Sequence, residues 1–390
     1  MSADRARPDP ASHVAPHLRD LMPYVPGKPA SEIQREFGLG RVVKLASNEN
    51  PLGPSPRALE AMREALGELH RYPDGDATDL RTELGRRLGV RPERILLGNG
   101  SNEILTLIGR VLLKEGDEAV MSEGAFIVYL LATRSSGAGR VAVASVEHAH
   151  DLEAMADAIT GETRVVFVAN PNNPTGTIFR RAAWERFLER VPDDVVVVCD
   201  SAYAEYVTDP DYPDALLDLG RHPQLVVLRT FSKIHGLAGL RIGYGVGPAW
   251  LVDLIDRVRD PFNVNHVAQV AALAALEDEA HLHASREANR QGLRFLERAC
   301  RALGLGFVPG HGNFLLIEIG DAAGAFEALL RAGVIVRPVA GYGYPHHIRV
   351  TVGTPEENTE FAMAVAALLG QSGPAVASLV QPPLEVGEAS

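Results

Sequence analysis

The sequence has little cysteine and lacks long apolar segments. Only two of the 390 residues are cysteines, Cys199 and Cys300, and neither stands in a Cys-X-X-Cys or Cys/His ligand pattern. This argues against a disulfide framework and predicts reduced, buried thiols. No run of about 18 apolar residues could span a membrane, and the first residues, MSADRARPDPASH, lack the apolar core of a secretory signal. We therefore expect a soluble, cytoplasmic protein.

Positive charge is also scarce. The chain has 38 Lys and Arg residues against 50 Asp and Glu residues, and its formal net charge is −12. Binding to nucleic acid requires clustered Lys and Arg to neutralise phosphates, so this composition argues against a general nucleic-acid surface. Any anion-binding site must therefore be local.

Metal and dinucleotide motifs are missing as well. The histidines of HAHD at residues 148–151 and the pair His346 and His347 have no HExxH pattern or third ligand, which favours surface histidines over a metal site. The segment GYGVG at residues 243–247 is not a GxGxxG motif, so it does not indicate a dinucleotide site.

The sequence does contain alternating apolar runs and helical stretches. The runs are RILLGNG, EAVMSEG, TRVVFVAN, DVVVVCD, QLVVLRTF and RIGYGVG. This alternation is typical of an α/β protein with a mostly parallel, helix-covered sheet. After residue 275 a charged helical stretch and short apolar runs predict a smaller α+β domain. The predicted divisions are a flexible tail (1–18), an N-terminal arm packing with the small domain (19–48), a large domain (49–275), a small domain (276–370) and a second flexible tail (371–390).

A lysine stands at the end of one predicted strand. In RTFSKIHGLAGLR, residues 229–241, Lys233 follows the buried run that ends at Leu228 and is flanked by Thr230 and Ser232. The carboxyl edge of an α/β sheet is where ligands usually bind. Lys233 is therefore a candidate functional residue rather than an exposed helix lysine.

Three further stretches end predicted strands. LLGNGSNEI, residues 96–104, places Gly100 in a turn and Ser101 at a helix start, where free N–H groups attract anions; ordinary helix capping is the alternative. NPNNPTG, residues 170–176, projects the amide of Asn172 or Asn173, unless it is only a turn. VVVVCDSAY ends an apolar strand at Asp200, whose charge requires a cation or strong donor; a helix cap or salt bridge is the alternative.

Together these parts match what pyridoxal 5′-phosphate (PLP) requires. Lys233 supplies an amine for the cofactor aldehyde, and Asp200 pairs with the protonated pyridine nitrogen. Tyr203 and Asn173 bond the ring oxygen. The phosphate is held by Gly100, Ser101, Ser232 and Arg241.

Nine motifs carry a resemblance to a known family. They are ASNENPLGPSP, RYPDG, GNGSNEIL, NPNNPTG, DSAY, RTFSKIHGLAGLRIGYG, PFNVN, VIVRPV and IRVTVGTPEEN. In this order, over roughly residues 22 to 370, the chain resembles the histidinol-phosphate aminotransferases, a branch of the fold-type-I PLP-dependent aminotransferases.

The resemblance implies a role for each site residue. Lys233 binds the cofactor and moves a proton between substrate and cofactor, Asp200 and Tyr203 assist it, and Phe126 stacks on the pyridine ring. The phosphate contacts are Gly100, Ser101, Asn102, Thr230, Ser232 and Arg241.

The resemblance also implies substrate contacts and a homodimer. Arg349 binds the α-carboxylate of the amino or oxo acid, near Asn173, and Arg337 and Tyr24 meet the distal end of the substrate. Tyr72 reaches the cofactor phosphate of the neighbouring subunit.

Four positions depart from the family pattern. Ser201 replaces a glutamate after Asp200, and strand alternation is expected to point its side chain away from the ring. Ile234, His235 and Gly124 replace other residue types near the expected cofactor or substrate entrance. These three changes leave the substrate, rather than the reaction type, open.

The expected activity is a ping-pong transfer of an amino group between L-histidinol phosphate, or a related donor, and the pair 2-oxoglutarate and L-glutamate. An aromatic or pathway-specific aminotransferase of the same family is the alternative. A decarboxylase is a further possibility, because substrate orientation over the ring decides which bond breaks. A non-catalytic regulator would need a DNA-binding domain of about 60 residues, and only about 20 residues precede the region of resemblance.

Overall fold

The computed structural model describes residues 10–19, 21, 27–372, 379–380 and 382. The strands are β1 Val43–Lys44, β2 Ile95–Gly98, β3 Glu118–Ser122, β4 Gly139–Val143, β5 Thr163–Ala169, β6 Val196–Asp200, β7 Leu225–Thr230, β8 Gly243–Val246, β9 Gly306–Val308, β10 Phe314–Glu318, β11 Val334–Ile335, β12 Arg337–Pro338 and β13 His347–Thr351. The helices are α1 Pro16–Arg19, α2 Ala30–Phe37, α3 Pro56–Ala65, α4 Thr78–Leu88, α5 Ser101–Leu112, α6 Ile127–Ser135, α7 Leu152–Asp157, α8 Arg181–Arg190, α9 Ala249–Asp256, α10 His266–Leu276, α11 Glu279–Leu303, α12 Ala322–Arg331 and α13 Pro355–Leu368.

The central sheet has the order β2-β8-β7-β6-β5-β3-β4. The pairs between β7 and β4 are parallel, whereas β8 runs antiparallel to both of its neighbours. A mostly parallel, mixed sheet was predicted from the apolar runs, and this prediction is confirmed.

The central sheet is buried on both faces. Val197 and Val227 contribute to a core on one face that contains Trp184, while Val198 and Phe167 contribute to a core on the other face. Strands covered on both faces by helices consist of continuous apolar residues. This is why β5, β6 and β7 appear in the sequence as uninterrupted runs that end in polar residues.

A second sheet, which we call the C-terminal sheet, has the order β12-β13-β10-β9 with antiparallel pairing. Its core includes Phe295 and Leu296 from α11 and Phe361 from α13. Near the other end of the chain, β1 pairs in parallel with β11, through Val43 opposite Val334. The segment before residue 48 is therefore joined to the C-terminal sheet unit.

The ends of the chain are described only in part. Residues 10–19, which cover the end of the predicted N-terminal tail and the first residue of the predicted arm, contain a 3-10 turn at Pro10–His13 and the short helix α1. Tyr24, predicted to bind substrate, lies outside the described residues.

Both cysteines are buried and free, as predicted. In the described part of the chain, no helix has the combined length and apolar character to cross a membrane.

Candidate functional site: a basic cavity at the carboxyl edge of the central sheet

The predicted site residues meet in one cavity of about 210 Å³. The last residues of β5, β6 and β7 all line it, so it lies at the carboxyl edge of the central sheet, and β12 and β13 of the C-terminal sheet close it. The lining contains these predicted residues: Gly100, Ser101, Asn102, Phe126, Asn173, Asp200, Tyr203, Thr230, Ser232, Lys233, Arg241, Arg337 and Arg349.

Basic charge is concentrated in this cavity. Among its lining residues Lys233, Arg241, Arg337 and Arg349 are basic and Asp200 is acidic. The chain as a whole has a net charge of −12. The described lining of the cavity therefore combines a local excess of positive charge, suited to anions, with a single buried carboxylate.

Lys233 lies on the loop after β7 and projects its amine into the cavity. Its Nζ donates to the carbonyl oxygen of Ser47 at 3.1 Å and lies 5.5 Å from the centre of the Tyr203 ring. Burial and the nearby charge of Arg349 lower the pKa of Lys233 to about 7, because both disfavour the ammonium form. A large fraction of the amine is therefore uncharged and nucleophilic near neutral pH.

Asp200 ends β6 with its side chain only 6% exposed. Its Oδ1 accepts from the N–H of Ala202 at 3.2 Å, and its Oδ2 accepts from the hydroxyl of Tyr129 at 3.0 Å. Burial raises the pKa of Asp200 to about 6. The carboxylate would consequently gain from a cationic group placed in the cavity.

Tyr203 lies beside Asp200 and presents a protonated hydroxyl. Asn48 donates an amide N–H to this hydroxyl oxygen at 2.9 Å, and burial raises the pKa of Tyr203 to about 12. Because the Asn48 contact uses the oxygen as acceptor, the O–H itself can donate to a group in the cavity.

An anion-binding end is formed by the first turn of α5 and Arg241. Gly100, which precedes Ser101, has a positive φ of +75°, and a Cβ there would lie 2.8 Å from Arg241 Nη2. Arg241 Nη1 lies 3.4 Å from Ser232 Oγ, to which it donates. Helix N–H groups without partners in the first turn and an arginine together favour a phosphate or carboxylate.

The opposite wall carries two arginines on adjacent strands. Arg337 on β12 stands opposite Arg349 on β13 in the strand register. Arg349 Nη1 donates to Asn173 Oδ1, and its Nη2 donates to the carbonyl of Ala46 at 2.7 Å. Its guanidinium also lies 5.3 Å from the centre of the Phe314 ring. Arg349 is thus held rigidly at the edge of the cavity, with the second arginine beside it.

A larger cavity of about 580 Å³ adjoins the basic cavity and shares Phe126 and Tyr342 with it. Gly124 lies in this adjoining cavity, where a Cβ would come within 2.6 Å of the Tyr342 carbonyl and 2.9 Å of the Tyr344 ring. Gly124 has φ +67° as well. Glycine at this position therefore allows the segment that contains Tyr342 and Tyr344 to approach residue 124 closely.

Two of the family departures lie behind the cavity rather than in its lining. Ile234 is fully buried and packs with Tyr203 and Phe314, and the ring of His235 packs against Phe231 with centroids 5.0 Å apart. Neither side chain is among the described residues that line the cavity, and their effect on the substrate stays a prediction. They follow Lys233 in a turn whose side chains point into the core. Ser201 points toward Cys199, 3.5 Å away, as expected.

Asn48, Tyr129 and Tyr342 are among the lining residues that were not predicted from the sequence. Asn48 lies in the motif ASNENPLGPSP, and Tyr129 ends EGAFIVY, so both were near a recognised signal. Conversely, Tyr72 does not line the cavity of its own chain and is 83% exposed.

Comparison with known proteins agrees with this geometry. Residues 40–365 match the family "Aminotransferase class I and II". The chain is 53% identical over 357 residues to histidinol-phosphate aminotransferase 2 of Pseudomonas aeruginosa, covering 91% of this chain and 97% of that protein. It is 51% identical over 361 residues to histidinol-phosphate aminotransferase 2 of Methylococcus capsulatus, with coverage of 91% and 97%.

A solved structure is similar in fold. The crystal structure of histidinol-phosphate aminotransferase from Sinorhizobium meliloti, in complex with pyridoxal-5′-phosphate, superposes with a TM-score of 0.84 at 27% identity, covering 92% of this chain and 98% of that one. Because the family match covers most of the chain, this chain belongs to the histidinol-phosphate aminotransferase family, within the class I and II aminotransferases.

Proposed function

We propose that this protein uses PLP to transfer an amino group from L-histidinol phosphate to 2-oxoglutarate in a ping-pong reaction. The observation that carries the proposal is the position of Lys233, whose pKa is about 7, in the same basic cavity as the buried Asp200. Bound PLP supplies an aldehyde that captures amines and a ring that withdraws electrons from the substrate.

The groups around the cavity fit this cofactor. The Asp200 carboxylate can pair with a protonated ring nitrogen, and the Tyr203 hydroxyl and the Asn173 amide can bond the ring oxygen. Phe126 lines the cavity where it can stack on a ring. The close approach of Gly100 to Arg241 leaves backbone N–H groups, rather than a side chain, to face the phosphate.

Lys233 is proposed to act as both nucleophile and base. Its lowered pKa lets the amine accept a proton from the substrate Cα near neutral pH and return it in a later step. Its bond to the Ser47 carbonyl holds the amine at the cavity floor when it is not bonded elsewhere.

The paired arginines are proposed to bind the acidic groups of both substrates. Arg349 would hold the α-carboxylate of the amino or oxo acid, and Arg337 would hold the distal carboxylate of 2-oxoglutarate or the phosphate of histidinol phosphate. Guanidinium groups bind both kinds of anion in a bidentate manner. Tyr24 is proposed to assist at the distal end.

Arg337→Ala tests the substrate assignment. L-Histidinol phosphate should change the visible absorbance of the bound cofactor in the wild type, and the variant should need on the order of 100-fold more donor for the same change, since a charge-assisted bidentate contact is lost. The response to L-phenylalanine, which lacks a phosphate, should change by less than about threefold.

Arg331→Ala, which removes an exposed arginine at the end of α12, is the control and should leave both responses unchanged. Equal losses for the two donors in Arg337→Ala would contradict a phosphate contact. A wild type that responds only to aromatic donors would favour an aromatic aminotransferase.

A homodimer is also proposed, with Tyr72 at its interface. Tyr72 stacks on Phe262, with ring centroids 4.8 Å apart, although both rings are exposed. Leu66 and Leu69, 58% and 57% exposed, extend the same segment. We propose that a second copy covers this apolar surface and receives Tyr72 at its cofactor phosphate.

We also propose that the central sheet belongs to a large domain, residues 49–275, and that the C-terminal sheet belongs to a small domain, residues 276–370.

Mixing two defective variants tests the shared site. Tyr72→Ala should weaken PLP binding about tenfold through one lost charge-assisted hydrogen bond, and Lys233→Ala should be inactive. When equal amounts of the two variants are refolded together, about half of the dimers contain one copy of each variant. Each mixed dimer has one complete site out of two, so about a quarter of wild-type turnover should return at limiting PLP. Mixed dimers that form without any recovery would place Tyr72 outside the partner's site.

A further inference from the structure

Tyr129 is a buried polar residue that the proposed chemistry does not yet use. It lies on α6 and is fully buried. Its ring is parallel to that of Phe167, with centroids 5.1 Å apart and 4° between planes, and edge-on to Phe126 at 5.8 Å. Its hydroxyl donates to Asp200 Oδ2 at 3.0 Å. An aromatic core residue is thus hydrogen-bonded directly to the Asp200 carboxylate, which lines the cavity.

The position of Tyr129 is well constrained. The Thr133 hydroxyl donates to the Tyr129 carbonyl at 2.8 Å, which adds a side-chain hydrogen bond within α6. A Cβ on Gly109 of α5 would lie 2.9 Å from the Ala132 carbonyl, so the two helices are in close contact. The hydroxyl therefore meets Asp200 at a set distance rather than by chance rotation of a loose side chain.

Several groups act on the Asp200 carboxylate from different elements. Tyr129 donates from α6, and Lys233 faces it from the loop after β7. Cys199 and Tyr203, on the same segment as Asp200, are neutral, because burial raises the pKa of the Cys199 thiol and that of the Tyr203 phenol to about 12. Burial raises the pKa of Asp200, whereas the Tyr129 bond acts in the opposite direction. Tyr129 therefore favours the ionised carboxylate.

We propose that Tyr129 is a positioning residue for Asp200, which keeps the carboxylate ionised and oriented so that the ring nitrogen of PLP is held in its protonated form. This inference rests on the proposed function. Phenylalanine would fill the same core volume, but it would leave Oδ2 without its donor. A carboxylate that loses a donor becomes more basic, and a proton shared with the ring nitrogen moves toward the carboxylate.

Tyr129→Phe in the holoenzyme tests the inference, with PLP labelled with ¹⁵N in the ring. The ¹⁵N chemical shift of the ring nitrogen should move from the protonated toward the unprotonated value, and the dissociation constant for PLP should rise about tenfold. Tyr244→Phe is the matched control, because it removes another buried phenol from the large core without touching Asp200. Its ¹⁵N shift should equal that of the wild type.

Each other outcome has a definite meaning. If Tyr129→Phe loses thermal stability but keeps the wild-type ¹⁵N shift, Tyr129 only fills the core and the inference is overturned. If that variant does not fold, p-aminophenylalanine at position 129, a weaker donor of similar shape, should give a partial ¹⁵N shift, and no shift would overturn the inference. Wild-type protein that binds no PLP would instead overturn the proposed function.

Discussion

Lys233→Ala is expected to lower turnover by at least about 10⁴-fold and to abolish the visible absorbance of the lysine-linked cofactor. The variant removes the nucleophile and the base together, since a single amine is proposed to do both tasks. Among the described residues that line the cavity there is no second lysine. Absorbance spectra and single-turnover kinetics of the purified variant would measure both effects.

Lys114→Ala is the matched control, because Lys114 is an exposed lysine in the loop between α5 and β3. It should keep full turnover and the wild-type spectrum. Lys233→Ala protein that remains folded, binds PLP and retains turnover would rule out the proposed role of Lys233. Addition of a small alkylamine should restore part of the proton transfer, because it can enter the space that the side chain leaves.

Asp200→Asn is expected to reduce turnover about 10³-fold while leaving the fold intact. The neutral amide cannot stabilise a protonated ring nitrogen, so the ring withdraws electrons less strongly from the substrate. The amide oxygen can still accept from the Ala202 N–H, and the amide NH2 group, which takes the place of Oδ2, can donate to the Tyr129 hydroxyl oxygen. Steady-state kinetics together with the PLP content of the purified variant separate lost chemistry from lost binding.

The same variant should become more stable without cofactor. The pKa of Asp200 is raised by burial to about 6 from its ordinary value of 3.8. The folded chain therefore binds this proton more tightly than the unfolded chain, and ionisation costs stability as the pH rises from about 4 to about 6. Asp200→Asn removes that cost, so the free energy of unfolding should exceed the wild-type value by up to about 3 kcal/mol at pH 7 and by little at pH 4.

Asp218→Asn provides the contrasting control. Asp218 is also a buried carboxylate, but it pairs with Arg181 at 3.0 Å and accepts from Trp184 Nε1 at 2.9 Å. Loss of the Asp218 carboxylate should destabilise the chain at pH 7 and leave the cofactor spectrum unchanged. If Asp200→Asn behaves in the same way, Asp200 is a structural residue and its proposed pairing with the ring nitrogen is wrong.

Much of the fold and site could be predicted because the signals were local. The Val-rich run before Asp200 and the run before Lys233 indicate buried strands, and the polar residue after each run marks a strand end. Since parallel strands share a carboxyl edge, the two residues were expected to lie together, and both line one cavity. The predicted family, fold and cofactor are confirmed.

Other contacts had no local signal. Asn48 lies 303 residues from Thr351, yet its backbone N–H donates to the Thr351 hydroxyl at 2.9 Å, and its side chain bonds Tyr203. The antiparallel direction of β8 was likewise not indicated by its composition, which resembles that of its parallel neighbours. Adjacency to Lys233 in sequence likewise did not show that the turn directs the side chains of Ile234 and His235 into the core behind the cavity.

The sequence by itself therefore determined the alternation of strands and helices, the chemistry available at the strand ends and the family. These depend on neighbouring residues, whose spacing reports strand and helix periods directly. Only the tertiary structure decided which distant side chains share the cavity. It brought the Tyr129 hydroxyl to the Asp200 carboxylate and placed Arg337 opposite Arg349 on adjacent strands. It also decided the pKa values of Lys233 and Asp200, because desolvation and charge act through space between groups that the chain brings together from far apart.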